Sequence, residues 1–397
     1  MELTGRALGK DINQHQLLRA SLTTVNELGY STALWRNPES STKHQLVDLS
    51  GSVNITDARL EEMRPGFLFT RFNGTDRYHI HEDIHLRLDE GGSSFTPNTK
   101  EYSTEDFFNK LQGHLISRSS PDYYVNEEIE PVSTSHEHFI QYIHNGMKHI
   151  EAGDFLKVVP ARSRVIELKQ EFDLAKLFLD LCDRYPNAFI SLVSIPGIGT
   201  WVGASPESLI SVDAEGTFST VSLAGTQPYD PNKELYDMPW TQKEIEEQAM
   251  VTRYVIDCFK KIRLREFEEH GPKTVKAGNL CHLKTDFIVN TIETNFKDLG
   301  SVMLELLHPT SAVCGMPMQP ARDFILENEG FDREFFSGHL GPVNIDQEIR
   351  LYVNLRCSQL LDQKAILYAG AGVTAYSVPE NEWKETELKY KTMENLF

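Results

Sequence analysis

The sequence predicts a mixed α+β fold with antiparallel sheets, and three features predict it. Strand-like runs and amphipathic helices follow one another without the regular strand–helix–strand rhythm of a doubly wound parallel sheet. The longest largely apolar stretch, residues 188–204, follows Pro186 and is interrupted by Pro196, Gly197 and Gly199, so it reads as buried strands rather than a membrane helix. The chain has 397 residues, 40% of them apolar. That is enough for about two or three compact units with cores needing no disulfide or metal staple. No repeat of fixed period is visible.

Taken in order, strand-like runs at 66–72 and 78–88 precede a helix expected at 106–116. Residues 117–135, SRSSPDYYVNEEIEPVSTS, are polar and without period, and read as a connector. A helix follows at 136–152, with Phe139, Ile143, Met147 and Ile150 on one face and Gly153 as its stop. A β-rich run spans 155–167, and further strands are expected at 188–193, 199–202, 208–212 and 218–223. A long helix is predicted over 241–263, with shorter ones near 321–328 and 381–396.

Composition excludes several roles. With 39 basic and 58 acidic residues the net charge is −19, a surface that repels nucleic acid and anionic lipid. The five cysteines (Cys182, Cys258, Cys281, Cys314 and Cys357) form no CxxC pair, as expected of reduced thiols in a cytoplasmic protein. The first twenty residues lack the apolar stretch of a signal peptide.

Some motifs carry little. In His79-Ile-His81-Glu-Asp83-Ile-His85, alternation puts four polar side chains on one strand face. A transition metal could bind there, but the wet face of an amphipathic strand explains the run without one. The run Ala369-Gly-Ala-Gly372 lacks GxGxxG spacing; its glycines would let backbone approach a ligand. No GxSxG or Walker A element is present.

Two glutamate pairs are sharper. Glu244 and Glu247, next to Gln248, share a face of the long helix. Glu382 and Glu385 repeat that spacing in the last helix, after Pro379, with Trp383 and Met393 to anchor its other side. Mg²⁺ is commonly held by one or two carboxylates plus waters and an anionic substrate. On spacing alone, solvated acidic helix faces account for these residues at least as well.

Six stretches read together change that balance. They are Lys157-Val-Val-Pro-Ala-Arg162, Gly203-Ala-Ser-Pro-Glu207, Leu223-Ala-Gly-Thr226, Lys243-Glu-Ile-Glu-Glu-Gln248, Leu307-His-Pro-Thr-Ser-Ala-Val313, and Tyr368-Ala-Gly-Ala-Gly372 followed by Glu382-Trp-Lys-Glu-Thr386. In this order they resemble the chorismate-utilising enzyme family of anthranilate, aminodeoxychorismate, salicylate and isochorismate synthases. The isochorismate synthase group is the most similar. The resemblance implies two α/β subdomains with antiparallel sheets around a central cleft. It also implies a variable N-terminal region, 1–130, contributing to the sheet framework, and a chorismate-binding catalytic region, 131–397.

It further implies Mg²⁺ as cofactor between Glu247 and Glu385, with Glu244 and Glu382 as water-mediated partners. Lys157 would be the general base that activates water for attack at C2, and Glu207 the general acid that releases the C4 hydroxyl. Ala224, Gly225, Thr226, His308, Arg356, Gly370, Gly372 and Lys389 would bind substrate, with Arg356 gripping one carboxylate through two hydrogen bonds. The acid and base assignments require a protonated glutamate and a neutral lysine near pH 7, which burial favours. Aminodeoxychorismate synthases commonly carry lysine at the position of Ala224; alanine leaves room for water.

The expected reaction is therefore isomerisation of chorismate to isochorismate, for menaquinone or siderophore biosynthesis. The alternatives are a salicylate synthase and a catalytically silent binder of the same fold. A monomer without a glutaminase subunit is expected. The chain departs from the family pattern at Pro160, which breaks a strand hydrogen bond, and at Gln248, Ser311 and Cys314. Cys314, expected near the cleft, would make activity sensitive to thiol reagents.

Overall fold

The computed structural model describes residues 3–4, 12–116, 123–277 and 280–397. Two large sheets and one small one carry the strands, and every neighbouring pair is antiparallel. The ten-stranded sheet runs in the order Leu3–Thr4, Gly92–Pro97, Ile84–Asp89, Lys43–Asp48, Ser31–Arg36, Phe189–Ile195, Gly199–Ser205, Cys357–Leu361, Lys364–Gly370 and Ala161–Glu167. The eight-stranded sheet runs Glu268–Ala277, Leu280–Asn290, Thr217–Pro228, Ser208–Val212, Glu348–Val353, His339–Ile345, Gly66–Thr70 and Arg77–His81. Lys157–Val158 pairs with Gly315–Met316 in a two-stranded ribbon.

The sheets pack face to face over an aromatic core that includes Trp35, Phe67, Phe69, Phe189, Trp201 and Tyr352. Phe189 stacks on Tyr352 with ring centroids 3.9 Å apart. Helices cover the outer faces. Gln14–Leu28, Glu105–His114 and Leu174–Arg184 share a core with the outside of the larger sheet, as do Tyr390 and Met393 of Pro379–Glu394. Gln242–Lys261 and Leu299–Leu307 do the same for the smaller sheet. Ser31–Arg36 pairs with Phe189–Ile195, and Gly66–Thr70 with His339–Ile345, so residues 1–130 and 131–397 share both sheets.

The expected helices form for visible reasons. His136–Ala152 is capped by Ser135, whose side chain accepts from His138 N, and stops at Gly153 with φ 85°. The long helix runs Gln242–Lys261 and the last one Pro379–Glu394. Trp383 packs beneath the Arg162 guanidinium at 3.5 Å and Met393 is buried, anchoring the last helix as its pattern suggested. The run 155–167 divides at Pro160 into Lys157–Val158 and Ala161–Glu167. Residues 123–135 of the connector form no helix or strand, while 117–122 lie outside the described residues.

The histidine run differs from expectation. The strand 78–88 is two strands, Arg77–His81 and Ile84–Asp89, in different sheets. His79, Asp83 and His85 are buried rather than wet. Asp83 accepts from Leu49 N at 2.9 Å, while His85 is bonded to Glu82 and His44. Among the described residues no helix is long and apolar enough to cross a membrane.

The shared aromatic core should dominate stability. Phe189→Ala, which empties a fully buried site between the sheets, is expected to cost about 3–5 kcal/mol in urea unfolding. A loss below ~1 kcal/mol would mean that the sheets do not depend on this contact.

Candidate active site

A cavity opens where Gly199–Ser205, Thr217–Pro228 and Lys364–Gly370 meet the helices Gln242–Lys261 and Pro379–Glu394. Glu207, Ala224, Gly225, Thr226, Glu247, Arg356, Gly370, Gly372, Glu385 and Lys389, all expected site residues, line it. Lys157 reaches the same place from the short ribbon. Its side chain is fully buried and Nζ donates to Glu247 Oε1 at 2.8 Å. It is therefore not an edge lysine reaching for water. The ribbon is held by reciprocal backbone bonds between Val158 and Val373. Gly372 matters beside it: a Cβ there would lie 2.7 Å from Glu247 Oε1 and 3.1 Å from Lys157 Cε.

Glu207 follows the strand Gly199–Ser205, and its backbone oxygen accepts from Val353 N. Burial pushes its carboxyl up to about 7, against the opposing charges of Lys157, Arg356 and Lys389. Glu247 is the contrary case. Burial works to raise it too, but the Lys157 ammonium in direct contact holds it below the usual carboxylate range. Lys389 Nζ donates to both Gly370 O and Glu385 Oε1 at 2.7 Å. The backbone oxygen of Arg356 accepts from Ala204 N, but its guanidinium makes no hydrogen bond or close ion pair with any described residue, so its planar donors face the cavity unspent, with Glu385 and Glu207 the nearest opposing charges.

His282 also lines the cavity. Its Nδ1 lies 2.9 Å from Gly225 O, an acceptor, so that nitrogen carries the proton. Nε2 is then a lone-pair acceptor, buried and without a partner. Burial lowers this imidazole to about 4, keeping it neutral. The sequence offers little sign of it: one histidine in an apolar strand, in no recognised spacing. Gly225 adopts φ 65°, and a Cβ there would approach Glu244 Cβ to 3.0 Å, so glycine lets the long helix come close.

Residues 95–397 match the family model for chorismate binding enzymes. The chain belongs to the chorismate-binding enzyme family. Among relatives of this chorismate-binding enzyme, isochorismate synthase EntC of Escherichia coli K12 is 30% identical over 79% of this chain and 77% of its own. Isochorismate synthase DhbC of Bacillus subtilis is 30% identical over 68% and 69%. The structure of MenF, the menaquinone-specific isochorismate synthase from Escherichia coli, shares the fold with TM-score 0.76 at 20% identity, over 98% of this chain and 92% of that one. Anthranilate synthase component I from Streptococcus pneumoniae shares it with TM-score 0.67 at 18% identity, over 92% of each chain.

The carboxylates of this chorismate-binding enzyme fit a hard divalent cation. Glu247, Glu382 and Glu385 each give one oxygen to a lysine, Lys157, Lys243 and Lys389 respectively. Glu382 Oε2 is buried without a hydrogen-bond partner. Burial raises the Glu382 carboxyl; Lys243 opposes this and nearby Glu385 adds to it. No group of three or more His, Cys, Asp or Glu among the described residues is arranged as a complete metal cage. Two carboxylates with water and substrate completing the shell is the arrangement that Mg²⁺ favours. Glu244 is less available: its Oε2 closes a capping box with Thr241 at the start of its own helix.

Two expectations do not hold geometrically. His308 does not line the cavity. Its ring packs edge-on against His339 at 4.5 Å, because the helix Leu299–Leu307 ends just before it and turns it away towards residues 71–74. Cys314 is fully buried behind the cavity wall, its thiol pushed up to about 12 by burial. All five cysteines are buried. Ellman's reagent should therefore label none of them within minutes in native buffer, and all five after denaturation. Rapid native labelling of one thiol would show a path to solvent that this packing forbids.

Proposed function

We propose that this protein is a Mg²⁺-dependent isochorismate synthase, which adds water at C2 of chorismate and expels the C4 hydroxyl. The carrying observation is that burial pushes Glu207 up to about 7 in a cavity whose wall residue Glu247 accepts from the buried Lys157. The names of the relatives support the choice of substrate and product.

In this reading Arg356 grips one substrate carboxylate with guanidinium donors that no described residue takes up. Gly370 and Gly372 keep the opposite wall low. Glu247 and Glu385 would hold Mg²⁺, which would supply positive charge to match the other carboxylate. Lys157, as the neutral amine, takes a proton from the attacking water as the C2–O bond forms. Glu207 gives its proton to the C4 oxygen as that C–O bond breaks. One water enters and one leaves, so the net change is an isomerisation. His282 Nε2 stands ready to accept from a substrate hydroxyl or the incoming water. The isochorismate would enter menaquinone or siderophore biosynthesis.

Chorismate incubated with Mg²⁺ in ¹⁸O-water without ammonia is the test. Isochorismate labelled at the new C2 hydroxyl is expected; salicylate with pyruvate, or no turnover, would overturn the reading. EDTA should stop turnover and Mg²⁺ restore it. Lys157→Ala and Glu207→Gln should each lose about 10²–10⁴-fold in kcat. The acid must hold its proton, so kcat/KM should be high below pH 7 and fall as pH rises through about 7. A profile flat from pH 6 to 8 would remove Glu207 from that role.

A further inference from the structure

Beside the substrate cavity lies a second one of about 270 Å³, sharing Pro206, His282 and Arg356 with it. It reaches the surface at Pro186 and Asn187, both exposed. Its charged lining is cationic: Arg184, Lys276 and Arg356, with no aspartate or glutamate among the described residues. In a chain of net charge −19 this is unusual. None of the three cations forms an ion pair with a described residue. Lys276 Nζ instead sits 3.9 Å from the centre of the Tyr229 ring, and the Arg184 guanidinium lies 6.0 Å from that of Tyr185. Aromatic faces hold a cation in place without cancelling its charge.

A third cavity, sharing Thr226 and Glu385 with the central one and Leu280 with the cationic one, is lined by Glu244, Glu382 and Glu385 beside Lys243 and Lys384. An anion approaching that way meets carboxylates. We propose that the cationic antechamber is the port that captures the dicarboxylate substrate, with Arg184 and Lys276 drawing it inward to Arg356. Clefts lined by one sign of charge concentrate the opposite ion and raise its association rate. The inference rests on the proposed function, because it needs a small dianion as ligand.

The test is kcat/KM for chorismate from about 0.01 M to about 0.15 M ionic strength, over which the Debye length shrinks from ~30 to ~8 Å. The wild type should decline steeply. Arg184→Gln/Lys276→Gln should be about tenfold lower at the low end, nearly flat with salt, and impaired in KM rather than kcat. Both side chains are exposed, so folding should survive. The charge-conserving pair Arg184→Lys/Lys276→Arg should keep the wild-type slope, which a role dependent on shape would not. A flat wild-type slope, or a double neutral variant that keeps the wild-type slope, overturns the port. Wild-type protein that neither binds nor converts chorismate overturns the functional reading, and the port with it.

Discussion

The arrangement depends on how charge is buried between two sheets. A carboxylate or ammonium removed from water is costly unless it is paired. The cavity and its acidic neighbour meet that constraint three times with a lysine: Lys157 on Glu247, Lys243 on Glu382 and Lys389 on Glu385. Two groups stand outside the pairing, and both face where substrate would lie. Burial pushes the Glu207 carboxyl up to about 7, and the Arg356 guanidinium keeps its donors free. The unpaired ones are left to respond to a ligand.

The same economy holds the wall behind the cavity. Pro160 interrupts the strand run and would leave loose backbone there. Arg333 fills that role: its guanidinium donates to Val159 O and Val313 O at 2.7 and 2.8 Å while paired with Glu329. Glu329 in turn accepts from Ala161 N, just past the break, and from the Tyr142 hydroxyl. One buried ion pair thus replaces ladder bonds that a proline cannot make. Breaking such a pair leaves an uncompensated charge, so the wall is rigid where Lys157 needs a fixed position.

Legibility in the sequence followed locality. Helix His136–Ala152 carries its own cap, apolar face and glycine stop, and was readable to the residue. The lysine, glutamate and glycine positions were readable because each sits in a motif. The hairpin Glu268–Ala277 and Leu280–Asn290 was not, since its charged edge strand carries no apolar alternation and its identity comes from pairing with Thr217–Pro228. Helix Gln14–Leu28 has a full capping box at Asn13 and Gln16, a signal that could have been found. His282, His308 and Cys314 show the other limit. Motif membership places a backbone near a cleft, but which way a side chain turns is decided by packing from distant elements. Buried His79 and His85 make the same point for alternation, which identifies a face without saying what covers it.

The central claim is that burial keeps a proton on Glu207 at neutral pH. Infrared difference spectroscopy of the carboxyl stretch, wild type minus Glu207→Gln, reads that proton directly across pH 4–9. The account predicts a protonated carboxyl band that titrates near 7 and is absent from the variant. A Glu207 band already lost below pH 5, in the range of an ordinary carboxylate, would contradict it.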